Sequence, residues 1–463
     1  MGPRRSKRHQ PTLAGQKGDG RGSFEPQPND KGARIMEPNP IDLIVTNIGQ
    51  LVTCAKDRED GAESALGLVE DATVACAGGK VVYAGPSARM DDSLTLDDNA
   101  ERIDASGLLV TPGFVDPHTH LAFGGDRAAE FASRCAGATY LEILQAGGGI
   151  LATVRATRAT SEESLVGLCV DRLHRFAMQG VTTVEVKSGY GLTIEEELKL
   201  LRAIARAAKI SPVRVVATLL GAHALSDEYR EKREHYVSLV CRDMIPAAAE
   251  SGLARFTDVF VEEGAFTAQD ARAIARSAMD HGLGLRMHVD QLTAGGGAEL
   301  AADLGALSAD HLEQVSPDGV KALAKSGVCA GLLPTATLYA RLKDYAPGRA
   351  LSDAGAILAL GTNYNPGSAM TENHSLALGL ACLQNGLTPA EALLAATDGA
   401  ARSLNLHGEV GLLTAGSRAD LIIHKTDDYR HLAFHLATSH AAVVVAAGKV
   451  IHRAEPILRN CPG

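Results

Sequence analysis

His118, Thr119 and His120 form a spacing that can bind a metal. Alternate residues of an extended chain project from the same face, so two imidazoles separated by one residue can meet one ion. Alone, the pair reads equally well as two solvent-facing loop histidines. It does not stand alone. His288 closes a later apolar run in MHVDQL, and His311 closes the next in SADHLE. Most other histidines, such as His431, His435 and His440, read better as surface or packing residues. Glycine and polar clusters end further apolar runs: Lys187-Ser188-Gly189-Tyr190-Gly191, Gly221-Ala222-His223 and Asn363-Tyr364-Asn365-Pro366-Gly367-Ser368. Glycine there lets backbone approach a small ligand, although ordinary turns use the same residues.

The elements that must carry these residues alternate along the chain. Strand-like runs are GFVDPHTH, VTTVEVKSG, VRVVATLLGAH, FTDVFVEEG, LGLRMHVDQ, GALSADHL, VCAGLLP and AILALGTNYNPG. Helical patterns fall between several of them, including ESLVGLCVDRLHRFAMQG, IEEELKLLRAIARAAK and AQDARAIARSAMDHG. Apolar strands without clean alternation, followed by helices, indicate a parallel α/β sheet. Eight of them fit a (β/α)8 TIM-like barrel over residues 112–408, with chemistry at the C-terminal ends of its strands. A doubly wound sheet competes, but no GxGxxG or GxxxxGK[ST] follows a first strand.

Residues 41–111 and 409–463 share a different texture of short Val/Leu/Ile runs cut by Gly, Asp and Pro. They predict one discontinuous β-sandwich domain built from both termini. Asp57–Leu68 reads as an insertion in it. Residues 1–40 read as a polar, basic tail, with Met36 an alternative start. Arg4 and Arg5 are not followed by an apolar segment, so export is not expected.

Composition narrows the function class. The 463 residues carry 45 Lys+Arg against 55 Asp+Glu, a formal net charge of −10, with 4% aromatics and no Trp. Such a chain is not expected to bind nucleic acid. No run reaches the ~18 apolar residues of a membrane helix. Eight scattered cysteines, none in a CxxC pair, suit a reducing compartment, and a cytoplasmic location is expected.

Longer motifs sharpen the picture. PGFVDPHTH (112–120), HTHLAFGGDR (118–127), GATYLEILQAGGGI (137–150), TTVEVKSGYGL (182–192), LGAHA (220–224), HVDQL (288–292), SADHLE (308–313) and NPGS (365–368) resemble the metal-dependent amidohydrolase superfamily. Within it they resemble the imidazolonepropionases of histidine degradation, over about residues 41–455. The resemblance implies hydrolysis of the cyclic amide 4-imidazolone-5-propanoate to N-formimidoyl-L-glutamate by a metal-activated water. It implies one Zn2+ or Fe3+ per chain, held by His118, His120, His288 and position 363. The family has an aspartate at that last position, and this chain has Asn363. An amide oxygen can ligate a metal, but it brings no charge and accepts no proton near neutral pH. The same resemblance assigns Arg127, Tyr140, Tyr190, His223, Gln291, Asn365, Gly367 and Ser368 to the substrate. It gives catalytic roles to His311, His223 and Gln291, and it implies a homodimer. Two other functions compete: amidohydrolase or deaminase chemistry on another heterocycle, and a weakened or non-catalytic descendant that binds ligand.

Overall fold

Eight parallel strands form one sheet in which every strand pairs with its neighbours in sequence. After a first group comprising β1 (Ile41–Val52), β2 (Leu68–Ala77), β3 (Lys80–Pro86), β4 (Leu96–Asp104) and β5 (Leu109–Pro112), these are β6 (Phe114–Asp116), β7 (Val181–Lys187), β8 (Arg214–Ala222), β9 (Phe256–Val261), β10 (Gly284–Val289), β11 (Ser308–His311), β12 (Cys329–Leu332) and β13 (Leu358–Leu360). The computed structural model describes residues 2, 40–55, 61–139, 142–143 and 146–455. The proposed tail and the start of the Asp57–Leu68 insertion fall outside the described residues. The insertion's described part holds a short helix, Ala62–Ala65.

All eight expected barrel strands are present. Their lack of alternation has the expected cause: β7 is buried at every position, because its two faces meet the barrel interior and the helices. The ring closes between the ends of β6 and β13. There Thr119 bridges Tyr364, the His120 amide donates to the Tyr364 carbonyl at 2.9 Å, and the Asn363 amide donates to the His118 carbonyl at 3.0 Å.

Helices follow most of the strands, and several start where a side chain caps them. Thr193 caps Ile194–Ile210, whose first turn holds Glu195, Glu196 and Glu197 against the positive end of the helix dipole. Thr267 and Asp270 form a capping box at Ala268–Asp280. The helix Ala128–Cys135 was not expected from the sequence. None of its eight residues is buried, so the helix contributes nothing to the core that would mark it.

The strands at the two ends build a second sheet. With β14 (Leu421–His424), β15 (Ala441–Ala446) and β16 (Lys449–Arg453), it runs β16-β15-β14-β5-β1-β2-β3, and β4 also pairs with β1. It is mixed: β1 is parallel to β4 and β5 and antiparallel to β2. Residues of successive parity separate its faces. Ile422 and Val444 join the barrel's apolar cluster, whereas Leu421, Ile423 and Val445 pack with Leu43, Val45 and Val74. Gly113 lies where this sheet hands over to the barrel. A Cβ there would sit 2.5 Å from Thr182 Cγ2, so the close approach requires glycine. Among the described residues no helix is long and apolar enough to cross a membrane.

Candidate active site

Asp116 ends β6 and is fully buried. Its carboxylate accepts from Thr362 Oγ1 at 2.6 Å, and from the backbone amides of His118 at 3.2 Å and Thr362 at 3.3 Å. It therefore clamps the first and eighth strand ends together. Burial pushes its pKa up to about 7. This clamp presents His118 and His120 opposite Asn363.

Each of two histidines is fixed from behind by a carboxylate, which is itself met by a buried cation. His118 Nδ1 lies 2.8 Å from Asp310 Oδ2, and Arg286 Nη2 reaches the same oxygen at 3.1 Å. His288 Nδ1 lies 3.0 Å from Asp258 Oδ1, and Lys187 Nζ donates to Asp258 Oδ2 at 2.7 Å. Lys187 also donates to Glu185 at 2.9 Å. Both cations are fully buried, and a carboxylate at each Nδ1 orients the imidazole so that its Nε2 faces inward.

The inward-facing atoms fit a metal ion. His118 Nε2 and Asn363 Oδ1 are buried without hydrogen-bond partners. His288 Nε2 and His120 Nε2 are 3.2 Å apart, a separation suited to two nitrogens each ~2.1 Å from one ion. His118, His288 and His311 also offer ligand atoms that all lie within 4.8 Å of one another. Burial is the largest influence holding His118, His120 and His288 below the usual histidine range, which keeps them neutral as ligation requires. His311 joins this cluster as well as facing the cavity, and its Nδ1 stands 3.5 Å from Glu313 Oε1.

A cavity of about 570 Å3 opens from this cluster. Among the residues assigned from the sequence, His120, Arg127, Tyr190, His223, Gln291, His288, His311, Asn363, Asn365, Gly367 and Ser368 line it, whereas Tyr140 lies outside the described residues. His223 stacks on His120 at 4.9 Å and its Nδ1 meets the Gly189 carbonyl at 2.9 Å. Burial, then His288, lowers its pKa to about 3. Burial raises the phenol of Tyr190. Asn365 spends its side chain on its own loop, accepting from the Gly367 and Ser368 amides and donating to the Asn363 carbonyl. Arg127 both lines the cavity and pairs with Glu130, Nε to Oε2 at 2.8 Å, so the ion pair and the pocket position coexist.

Sequence reasoning missed Asp116, Asp258, Asp310, Lys187 in its buried role, Arg286 and Arg134, whereas Glu130 is one of the two acids the sequence offers Arg127 as an ion-pair partner. For the strand residues a signal existed: a charge inside an apolar strand is almost never buried unless paired. Arg286 in LGLRMHV and Asp258 in FTDVFV carry that signal.

These second-layer contacts give a prediction. Asp258→Asn removes the charge that fixes His288 and leaves Lys187 with Glu185 alone. Chelator competition is expected to show metal affinity reduced roughly 10- to 100-fold. Unchanged affinity would remove His288 from the ligand set.

Comparison with known proteins agrees with this fold. The Amidohydrolase family profile matches residues 109–451. Among solved structures, a triazine hydrolase variant superposes with a TM-score of 0.70 at 20% identity, covering 90% of this chain and 96% of that one. The chain belongs to the amidohydrolase family. Its relatives narrow the membership to the imidazolonepropionases. The imidazolonepropionase of Myxococcus xanthus (strain DK1622) is 53% identical over 413 residues, 89% of this chain and 98% of that protein. That of Symbiobacterium thermophilum is 45% identical over 414 residues, covering 89% and 97%.

Proposed function

We propose that this chain hydrolyses 4-imidazolone-5-propanoate to N-formimidoyl-L-glutamate in histidine degradation. One observation carries the reading: inward-facing histidine nitrogens and the unpartnered Asn363 oxygen sit at the floor of a cavity whose wall holds Arg127. A half-buried cation on the wall suits a carboxylate-bearing small molecule, which a guanidinium can meet through a charge-assisted hydrogen bond. His118, His120, His288 and Asn363 would hold one Zn2+ or Fe3+. That ion, when bound, acts as a Lewis acid and lowers the pKa of a water in the site, supplying the nucleophile for the ring carbonyl.

The protein's own groups do the rest. Asp310 and Asp258 hold the imidazoles in register. Tyr190 and His223 form a neutral wall against the heterocycle. His311, 3.5 Å from Glu313, would orient the water and pass its proton to the ring nitrogen as the C–N bond breaks. Gln291 and Ser368 offer hydrogen bonds along the same wall. A homodimer in the cytoplasm is part of the same proposal.

A second reading, a weakened hydrolase, rests on Asn363, whose amide lacks the proton-accepting capacity of the family's aspartate. Metal analysis combined with a hydrolysis assay on 4-imidazolone-5-propanoate decides between the readings. Bound metal with turnover supports the first; bound metal without turnover supports the second or another substrate.

Arg127→Met tests recognition. It is expected to lower kcat/KM roughly 10- to 100-fold, about 1.5–3 kcal/mol for a lost charge-assisted pair, with the fold retained by circular dichroism. An unchanged kcat/KM in the folded variant would take Arg127 out of recognition.

A further inference from the structure

We propose that Arg134 is a second specificity-determining residue at the carboxylate end of the pocket, supplying the positive charge that Arg127 alone does not. The inference rests on the substrate proposed above. Glu130 already engages Arg127 through two bonds, to Nε and Nη2. The same Glu130 oxygen, Oε2, also accepts from the Gly149 amide at 2.9 Å. A carboxylate entering this corner therefore meets a guanidinium whose charge is largely offset.

Arg134 is placed to make up the difference. It stands seven residues after Arg127, the N-cap of the Ala128–Cys135 helix, so two helical turns bring both side chains to the same side. Both converge on Gly367 in the loop that carries Asn363. Arg134 Nη2 donates to the Gly367 carbonyl at 3.1 Å, and Arg127 Nη1 fills the space that a Cβ on Gly367 would need. The Arg134 guanidinium carbon lies 5.3 Å from the Tyr339 ring centre and 5.9 Å from that of Phe131, and the two rings stand 5.3 Å apart. Aromatic faces on a cation fix its position without neutralising it. Its Nε is buried with no hydrogen-bond partner, although the residue lines the cavity. A fork held in place on the cavity wall, with Glu130 near enough to act on it electrostatically but no carboxylate in ion-pair contact among the described residues, has the chemistry to receive one oxygen of a propionate.

The test uses the full-length, metal-loaded protein and two unreactive probes that differ only in the acid group, imidazole-4-propanoate and 4-propylimidazole. By calorimetry, Arg134→Gln is expected to weaken the propanoate roughly tenfold or more and to leave propylimidazole unchanged. Arg134→Lys, which keeps charge but loses the fork, is expected to fall between, and it carries the test if the Gln variant does not fold. In turnover of 4-imidazolone-5-propanoate, KM should rise more than kcat falls.

Equal weakening of both probes would mean that Arg134 only props the Gly367 loop, and would overturn the proposal. So would no effect, or a loss seen instead with Arg341→Gln, the other arginine on the cavity wall. A wild type that binds the propanoate selectively yet never hydrolyses the imidazolone would sink the functional reading while the binding comparison still judges Arg134.

Discussion

His288→Ala is expected to abolish both metal retention and hydrolysis, and His118→Ala to do the same. Each imidazole stands between the ion-facing space and a charged second layer. Removing His288 deletes one ligand nitrogen and exposes Asp258, still bound to Lys187, to a new void. A neutral nitrogen is then replaced by nothing that can ligate, so the loss falls on binding as well as on rate. Elemental analysis of the purified variants should find the metal well below one ion per chain, with no turnover above background. Because the Asp258–Lys187 pair stays intact, circular dichroism should still report a folded barrel. Full activity after exhaustive chelation, with no metal detected, would mean that the histidine cluster is not the centre of the chemistry.

Asn363→Asp is expected to raise turnover by roughly 100-fold, the scale of gaining a well-placed general base. The backbone at Asn363 has φ 52°, a left-handed conformation that asparagine and aspartate both tolerate, so the exchange meets no new strain. The amide oxygen is now buried without a partner. A carboxylate there would be costly without a cation and favourable with one, because it faces the same space as the histidine nitrogens. The signature is therefore twofold: a rate gain, and a wider gap in melting temperature between metal-free and metal-loaded protein. A wild-type rate already equal to that of the Asn363→Asp variant would assign proton transfer elsewhere. His311, 3.5 Å from Glu313, is then the first group to replace.

The positions of the site residues were legible in the sequence because barrel geometry is simple. A buried strand is a continuous apolar run, and its C-terminal end is a marked place, so His118, His288, His311 and the Asn363 loop could be assigned to one mouth before any coordinates. Residues that act from behind were less legible. Asp116 reads as one more member of the PGFVDPHTH string, and only the closing of the ring shows that it ties Thr362 to His118. Arg134 gives no periodic signal at all. Its helix buries no residue fully, and its place in the pocket depends on how the loop after His120 folds back toward Gly367.

The seam at Asp116 has a consequence for the order in which the molecule comes into being. His118 leaves the ribosome early and Asn363 late, yet hydrogen bonds between their own backbones close the ring. Nothing shorter than a chain synthesised through β13 can assemble the complete set of ligands. Ion capture then reports a completed barrel: chains that end before the Asn363 loop are expected to stay metal-poor.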